Sequence, residues 1–223
     1  MVVDKYWVEK SYHGESEVTL SDGTTEIGEW AFLGCKSLQN VNISEGVTEI
    51  GERAFARCES LERIVIPDSV TKIGDKAFWG CKSLKHITLP DSVTEIGWGV
   101  FDGCVSLHSV ILPDSVTEIA EGAFDGCKSL QNVKIPEGVT EIGMWAFARC
   151  VSLESVAIPD SVTVIGWGAF WECESLKSVV IPNTVTEIGE FAFYGCNNLI
   201  IKCSPDSAAE EYTKKNDIEY EYI

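Results

Sequence analysis

The chain has 223 residues, 45% of them apolar, and its 35 acidic against 17 basic residues leave a net charge of −18. Such a surface repels nucleic-acid phosphates and anionic lipid, which are bound by Lys and Arg. No apolar run approaches the about 18 residues needed to cross a bilayer as a helix. Length alone suits one domain or two, but repeats make that rule unreliable here.

The start, "MVVDKYWVEKSYHG", lacks the basic head and apolar stretch of a secretion signal. Residues 1–14 read as a lead-in strand or hairpin, and the chain is expected to be a domain excised from a longer protein. From residue 15 a period takes over. Cys35, Cys58, Cys81, Cys104, Cys127, Cys150, Cys173 and Cys196 stand 23 apart, and Phe32, Phe55, Phe78, Phe101, Phe124, Phe147, Phe170 and Phe193 keep the same beat. An unbroken period of this length is the mark of a leucine-rich-repeat solenoid, in which no unit buries its apolar edge until the next stacks on it.

One unit reads "CKSLKHITLPDSVTEIGWGVFDG". In "LKHITL" (84–89), Ile87 and Leu89 alternate with polar residues at strand period. Pro90-Asp91-Ser92 is a turn. Val93 and Ile96 point inward, and whether they form a second strand stays open. "GWGVFDGC" (97–104) is expected to make two helical turns, partly 3₁₀. The fold class predicted is thus an α/β repeat solenoid, a curved stack with one short strand and one short helix or 3₁₀ segment per unit. Its helical side, being wider than a strand spacing, should spread and leave the strand side concave. Three departures from the pattern, Ser44 for Pro, Val100 for Ala and Ala120 for Gly, are expected to leave the fold unharmed. After Cys203 the pattern stops. "SPDSAAEEYTKKN" reads as a helix with Asp206 or Ser207 near its N-cap, and "DIEYEYI" as a last strand. Residues 1–223 are taken as one repeat domain, with a lead-in (1–14), repeats (15–203) and a helix-strand cap (204–223).

The recurring unit "IPDSVTEIGxxAFxxCxSLxxV" resembles the BspA-type leucine-rich repeats of bacterial and protist surface proteins, over about residues 15–203. The resemblance implies recognition or adhesion at a cell surface or in secretion, and offers no catalytic residues to carry over.

The cysteines sit beside Phe and Leu in the pattern and read as small buried apolar groups. Only Cys203 takes an outward slot, which makes it a candidate reactive thiol. No short Cys/His spacing suits zinc, so neither a metal nor a cofactor is predicted. The carboxylate columns, such as Glu26, Glu49, Glu95 and Glu118, do not converge as calcium needs and read as a solvated face. His86 and His108 lack a third group for catalysis. No phosphate loop or nucleophile elbow is present, and the protein is not expected to be an enzyme.

On a helix, Gly28, Ala31, Phe32 and Cys35 share one side, and positions 29, 30, 33 and 34 the other. The slots equivalent to 29, 30 and 33 change from repeat to repeat and hold six of the seven tryptophans. Trp30, Trp79, Trp98, Met144, Trp145, Trp167, Trp171, Phe191 and Tyr194 are therefore the predicted partner-binding residues, since exposed aromatics dominate binding surfaces. The glycines at 99, 122 and 168 read as room for a neighbour's indole. The expected partner is a protein or a host or cell-surface ligand. A glycan stacked on the rings, and a self-associating structural spacer, are the alternatives. The outward strand rows, Asn40, Arg63, His86, Ser109 and Asn42, Val65, Thr88, Ile111, form a second candidate surface.

Overall fold

The computed structural model describes residues 1–223 as a right-through stack of 23-residue coils. Each coil has three faces. The long row comprises strands such as Asn40–Asn42, Arg63–Val65 and His86–Thr88. The short row comprises Glu26–Ile27, Glu49–Ile50, Lys72–Ile73 and their equivalents. Pairing is parallel throughout, and between successive repeats up to Ser178 each paired residue faces the one 23 positions on, as Glu26 faces Glu49 and Val41 faces Ile64. The third face is a row of turns.

This turn row corrects the expectation of a helix per unit. Its residues make three-residue turns, as Ala31 N–H to Gly28 O and Leu33 N–H to Trp30 O. Two positions in each turn are left-handed: Trp30 (φ 54°) and Gly34 (φ 73°) in the first coil, Arg53 and Arg57 in the second, Gly122 and Gly126 in the fifth. A left-handed residue every fourth position cannot continue a right-handed helix. The freed amides are used between coils instead: the N–H groups of Trp30, Phe32 and Gly34 donate to the carbonyls of Glu52, Ala54 and Ala56 at 2.7–2.8 Å. The same three bonds recur at every later junction. With hydrogen-bonded faces on all sides, the expected spreading of a helical side loses its cause.

The interior is one apolar cluster. The eight phenylalanines stack nearly parallel, with ring centroids 5.1–5.6 Å apart. An edge-on tyrosine closes each end of the stack, Tyr12 on Phe32 and Tyr212 on Phe193. Cysteine recurs because its thiol is both small and a weak donor. Cys58 Sγ–H donates to Phe32 O at 3.0 Å, and the same bond to the phenylalanine 26 residues back recurs up to Cys196. Burial pushes the thiols well above their ordinary range, Cys196 to about 12. Cys203 is buried, not outward. Ile200 pairs with Ser178, only 22 residues back, and a one-residue slip exchanges the two faces of a strand.

The lead-in is a strand, Val2–Val3, followed by a helix, α1 (Lys5–Ser11), where a strand or hairpin was expected. Asp4 caps α1 by accepting from Trp7 N–H at 2.8 Å, and Val8 is its buried residue. At the other end lies α2 (Ala208–Asn216), followed by strand Glu219–Tyr222, which pairs with Ile200–Cys203. Ser207 Oγ accepts from Glu210 N–H, and the Glu210 carboxylate reaches back to Asp206 N–H, a reciprocal cap.

Ala120 opens a seam. Every equivalent position before and after it is glycine. A Cβ there would lie 2.3–2.8 Å from main-chain atoms of the preceding coil at Gly51, Gly74, Gly97, Gly143, Gly166 and Gly189. Where alanine supplies that Cβ, the coils stand apart. The bonds Thr94 N–H to Thr71 O and Gly97 N–H to Ile73 O have no counterpart from Thr117 and Ala120, and both return in the next coil. The short row is consequently two sheets, ending at Glu95–Ile96 and restarting at Glu118–Ile119. A cleft of ≈ 360 Å³ lies between them, lined by Glu95, Ile96, Gly97, Glu118 and Ala120 among others, and Ile96 is half-buried where the isoleucines of the flanking coils are buried. The fold survives the substitution, but its ladder does not. Ser44 carries a smaller defect: its hydroxyl is buried with no partner. Val100 is buried without disturbing its coil. The long row is also interrupted, between Arg63–Val65 and His86–Thr88 and between Ser109–Ile111 and Asn132–Lys134, and neither break has a counterpart in the sequence.

Candidate interaction surface

The turn row places the variable slots. Ala31 and Phe32 enter the core while their neighbours Trp30 and Leu33 are exposed, and the bonded ladder holds each slot over the same slot one coil on; in the slot after phenylalanine, Ala56 and Ala148 are buried. The outward direction expected from a helix is thus produced by a different backbone. The predicted residues fall into two groups and one outlier. Trp30, exposed in the first coil, contacts no other aromatic ring.

The first group alternates rings and cations. Arg57 lies 5.1 Å from the Trp79 ring, and Lys76 lies 5.4 Å from Trp79 and 4.2 Å from Trp98, whose side chain is 42% exposed. Such contacts favour a cation by about 0.5–1 kcal/mol at exposed sites. The second group is all rings. Trp145 meets Trp167 at 5.2 Å, and Trp167 meets Trp171 at 6.1 Å and Phe191 at 5.4 Å. Phe191 meets Tyr194 at 5.9 Å. All four contacts are edge-to-face, the arrangement that aromatic quadrupoles favour. Met144 is exposed at the edge of this group, Phe191 is 46% and Tyr194 59% exposed, and the three tryptophans are half-buried against one another.

Gly168 does make room for an indole: a Cβ there would lie 2.9 Å from Trp145 Cδ1. Gly99 and Gly122 face no indole; all three are left-handed, which favours glycine, although Trp30, Arg53, Lys76, Trp145 and Phe191 hold the same conformation in the same slot. The packing has a cost, because Trp145 Nε1 and Trp171 Nε1 are buried with no acceptor. Beside them is a cleft of ≈ 280 Å³ lined by Asp125, Trp145, Ala148, Arg149 and Trp171. Arg149 crosses its mouth in a two-point bond to Asp125, 2.9 Å and 2.5 Å.

Sequence reasoning missed these cations. Their signal is "FARC", which occurs twice; each arginine donates its amide to the tryptophan 22 residues on, Arg57 to Trp79 and Arg149 to Trp171. Between the groups, Asp102 and Asp125 take the slot after phenylalanine. Burial, and then the Asp125 charge, raise the Asp102 carboxyl above its usual range.

The long-row surface is mixed. Arg63, His86, Val65 and Ile111 are exposed there, with a cleft of ≈ 480 Å³ over the first pairing gap. His86 bonds Ser109 Oγ and His108 bonds Ser106 O, so each imidazole has a local partner. The carboxylate column of the short row is exposed from Glu95 on and half-buried at Glu26 and Glu49, and it is bridged once, by Lys72 to Glu49 at 3.3 Å. No group of three or more His, Cys, Asp or Glu is arranged to hold a metal ion, and no helix is long and apolar enough to cross a membrane.

Stacked parallel coils with a Leu-Phe-Cys interior define a leucine-rich-repeat solenoid. The profile of the BspA type leucine rich repeat region matches in 6 copies, over residues 10–121 and 94–209, and the chain belongs to that family. It is similar to a leucine-rich repeat protein from Bacteroides ovatus, at 30% identity and a TM-score of 0.76 over 93% of this chain. The chain spans 61% of that protein's length. It is also similar to the T. pallidum leucine rich repeat protein, with 32% identity, a TM-score of 0.66 and coverage of 94% of this chain and 86% of the other. A leucine rich cell surface protein from Faecalibacterium prausnitzii shares 31% identity at a TM-score of 0.52, covering 98% and 82%. No curated protein matches the chain.

Proposed function

We infer that the chain is a non-catalytic recognition module that binds a protein partner through the aromatic part of its turn row. The observation that carries this reading is the edge-to-face run Trp145–Trp167–Phe191–Tyr194, which leaves large rings exposed on a surface otherwise dominated by carboxylates. Rings held by one another lose little rotamer freedom on binding, and aromatic anchors supply most of the energy of typical interfaces. The surrounding negative charge selects against acidic partners. The Faecalibacterium prausnitzii relative is described as a cell surface protein, which supports an extracellular setting for this chain. Residues 1–14 and 204–223 act as end pieces of a single module built on 15–203.

The test compares the wild-type chain with one carrying Trp98→Ser, Trp145→Ser and Trp167→Ser. Affinity capture from a surface-protein extract should recover a partner with the first and not the second, at unchanged circular dichroism. Equal capture by both removes the aromatic surface from the account. Binding on a glycan array that disappears with Trp145→Ala would replace the protein partner by a carbohydrate. Concentration-dependent sedimentation abolished by the same substitutions would replace it by self-association.

A further inference from the structure

The two ends of the solenoid are closed unequally across its faces. At the C-terminal end, strand Glu219–Tyr222 pairs with the last strand of the long row, and α2 packs against Glu187–Ile188 and Ile200–Cys203 with Ala209 and Tyr212 buried. The turn row receives only one group. In each earlier coil, three alternating amides donate to the next coil. Their last equivalents are Phe191, Phe193 and Gly195. Phe193 N–H donates to Tyr212 Oη at 3.3 Å, while Phe191 N–H and Gly195 N–H donate to nothing in the protein. A cleft of ≈ 730 Å³ lies against this edge, lined by all three residues and by Tyr194, Asn198, Tyr212, Asp217 and Glu219 among others.

We propose that this edge is a second binding site, which takes a polypeptide segment as an added turn. The occupant is defined by what the interior coils accept. Gly99, Phe101 and Gly103 donate to the carbonyls of Glu121, Ala123 and Asp125, at 2.8–2.9 Å. Between and beyond those carbonyls, the accepting strand places Gly122 and Gly126 at φ 61° and 69°. A matching segment therefore offers three alternate carbonyls, has glycine or another residue unbranched at Cβ at the two left-handed positions, and carries a small residue and an aromatic one between them. Pairing of main-chain groups along an open edge is a general mode of peptide capture. The rim carboxylates of Asp217 and Glu219 form no ion pair and favour basic flanks on the segment. A whole second copy does not fit. Its α1 and the α2 of the first molecule fill the ends of their cores, and direct stacking would place them in one layer. A single segment occupies only the turn face, beside α2.

The site goes beyond the aromatic surface; it shares Phe191 and Tyr194 with the end of that surface but not Trp98. The probe is a peptide copying residues 118–130 with Glu121→Lys and Cys127→Ser, titrated to millimolar concentration into the isotopically labelled full chain. Saturable shifts at the amides of Phe191, Phe193 and Gly195 are expected, with hydrogen exchange at Phe191 and Gly195 slowed at least tenfold. Gly122→Val with Gly126→Val in the peptide should weaken binding at least tenfold, because a branched side chain resists the left-handed conformation. Tyr212→Phe in the protein keeps the ring on Phe193 but frees the middle donor, and should tighten binding several-fold. Trp98→Ser, remote from this edge, should leave it unchanged. The proposal is overturned by absence of shifts at these three amides, by equal binding of the valine peptide, by indifference to Tyr212→Phe, or by loss of binding with Trp98→Ser.

Discussion

Across the junction from residue 97 to residue 120, the turn row and the short row meet the same pair of coils and behave differently. In the turn row, Gly99, Phe101 and Gly103 reach the next coil with bonds of 2.8–2.9 Å, inside the 2.6–3.1 Å range of the other junctions. In the short row, one methyl group separates the strands and opens a cleft. The turn row sends its variable side chains outward and brings only backbone toward its neighbour, so substitution is nearly free. At the glycine of the short row the backbone itself is the neighbour, and a single carbon has nowhere to go. Tolerance in a repeat follows from which atoms face the next coil, not from how often a residue type recurs.

The largest effect should come from breaking the face that held. Phe124→Ala removes a ring from the middle of the stack, and a buried aromatic reduced to alanine costs about 3–5 kcal/mol. Urea unfolding should show that loss, with local exchange fastest around residues 101–147. Next, Gly143→Ala should copy the seam into the sixth coil. Overpacking of this kind costs about 1–3 kcal/mol, and amide exchange at Thr140 and residue 143 should become as fast as at Thr117 and Ala120. The reverse change, Ala120→Gly, should close the seam. Two regained hydrogen bonds at about 1 kcal/mol each outweigh the about 0.5–1 kcal/mol of added chain entropy, so the variant should be about 1 kcal/mol more stable, with new protection at Thr117. A variant no more stable and no better protected would mean that something other than the methyl holds the coils apart.

The smallest effect concerns the cap that closes the strand rows. Lys214, then the Tyr222 hydroxyl and Asp206 N–H, hold the Glu210 carboxyl down to about 2. A depressed carboxylate stabilises the fold fully above its ordinary value, and the contribution is lost as pH falls from about 4.5 through about 2. Acid titration should therefore release α2 in that window, before the coils, and Glu210→Gln should remove this step from the profile.

Much of the architecture was legible in the letters, because stacking requires the same inward residue at the same place every time. The Leu, Phe and Cys positions could be assigned to the interior from period alone. The turn row was misread because a helix and a chain of left-handed turns bury the same positions, and direction was the only thing the pattern tested. The clue was glycine at 34, 80, 103 and 126, which marks a backbone angle more than a space. α1 was hard to read because its cap, Asp4, precedes only seven helical residues, of which Val8 alone is buried. Cys203 was misplaced because a one-residue slip leaves no mark in composition. The aromatic positions were readable as outward, but their division into a ring-and-cation half and an all-ring half depends on contacts 22 residues apart, which a search by whole periods skips.

The thiol-to-carbonyl bonds have a use beyond packing. Each winding carries one sulfur, most of them sealed and held uncharged by burial, and only a transiently loosened winding can expose its own to a water-soluble alkylating reagent. Timed labelling followed by mass mapping would thus report, winding by winding and without any added probe, where the molecule breathes. The half-buried sulfurs of Cys35 and Cys196 would set the fast limit of the scale.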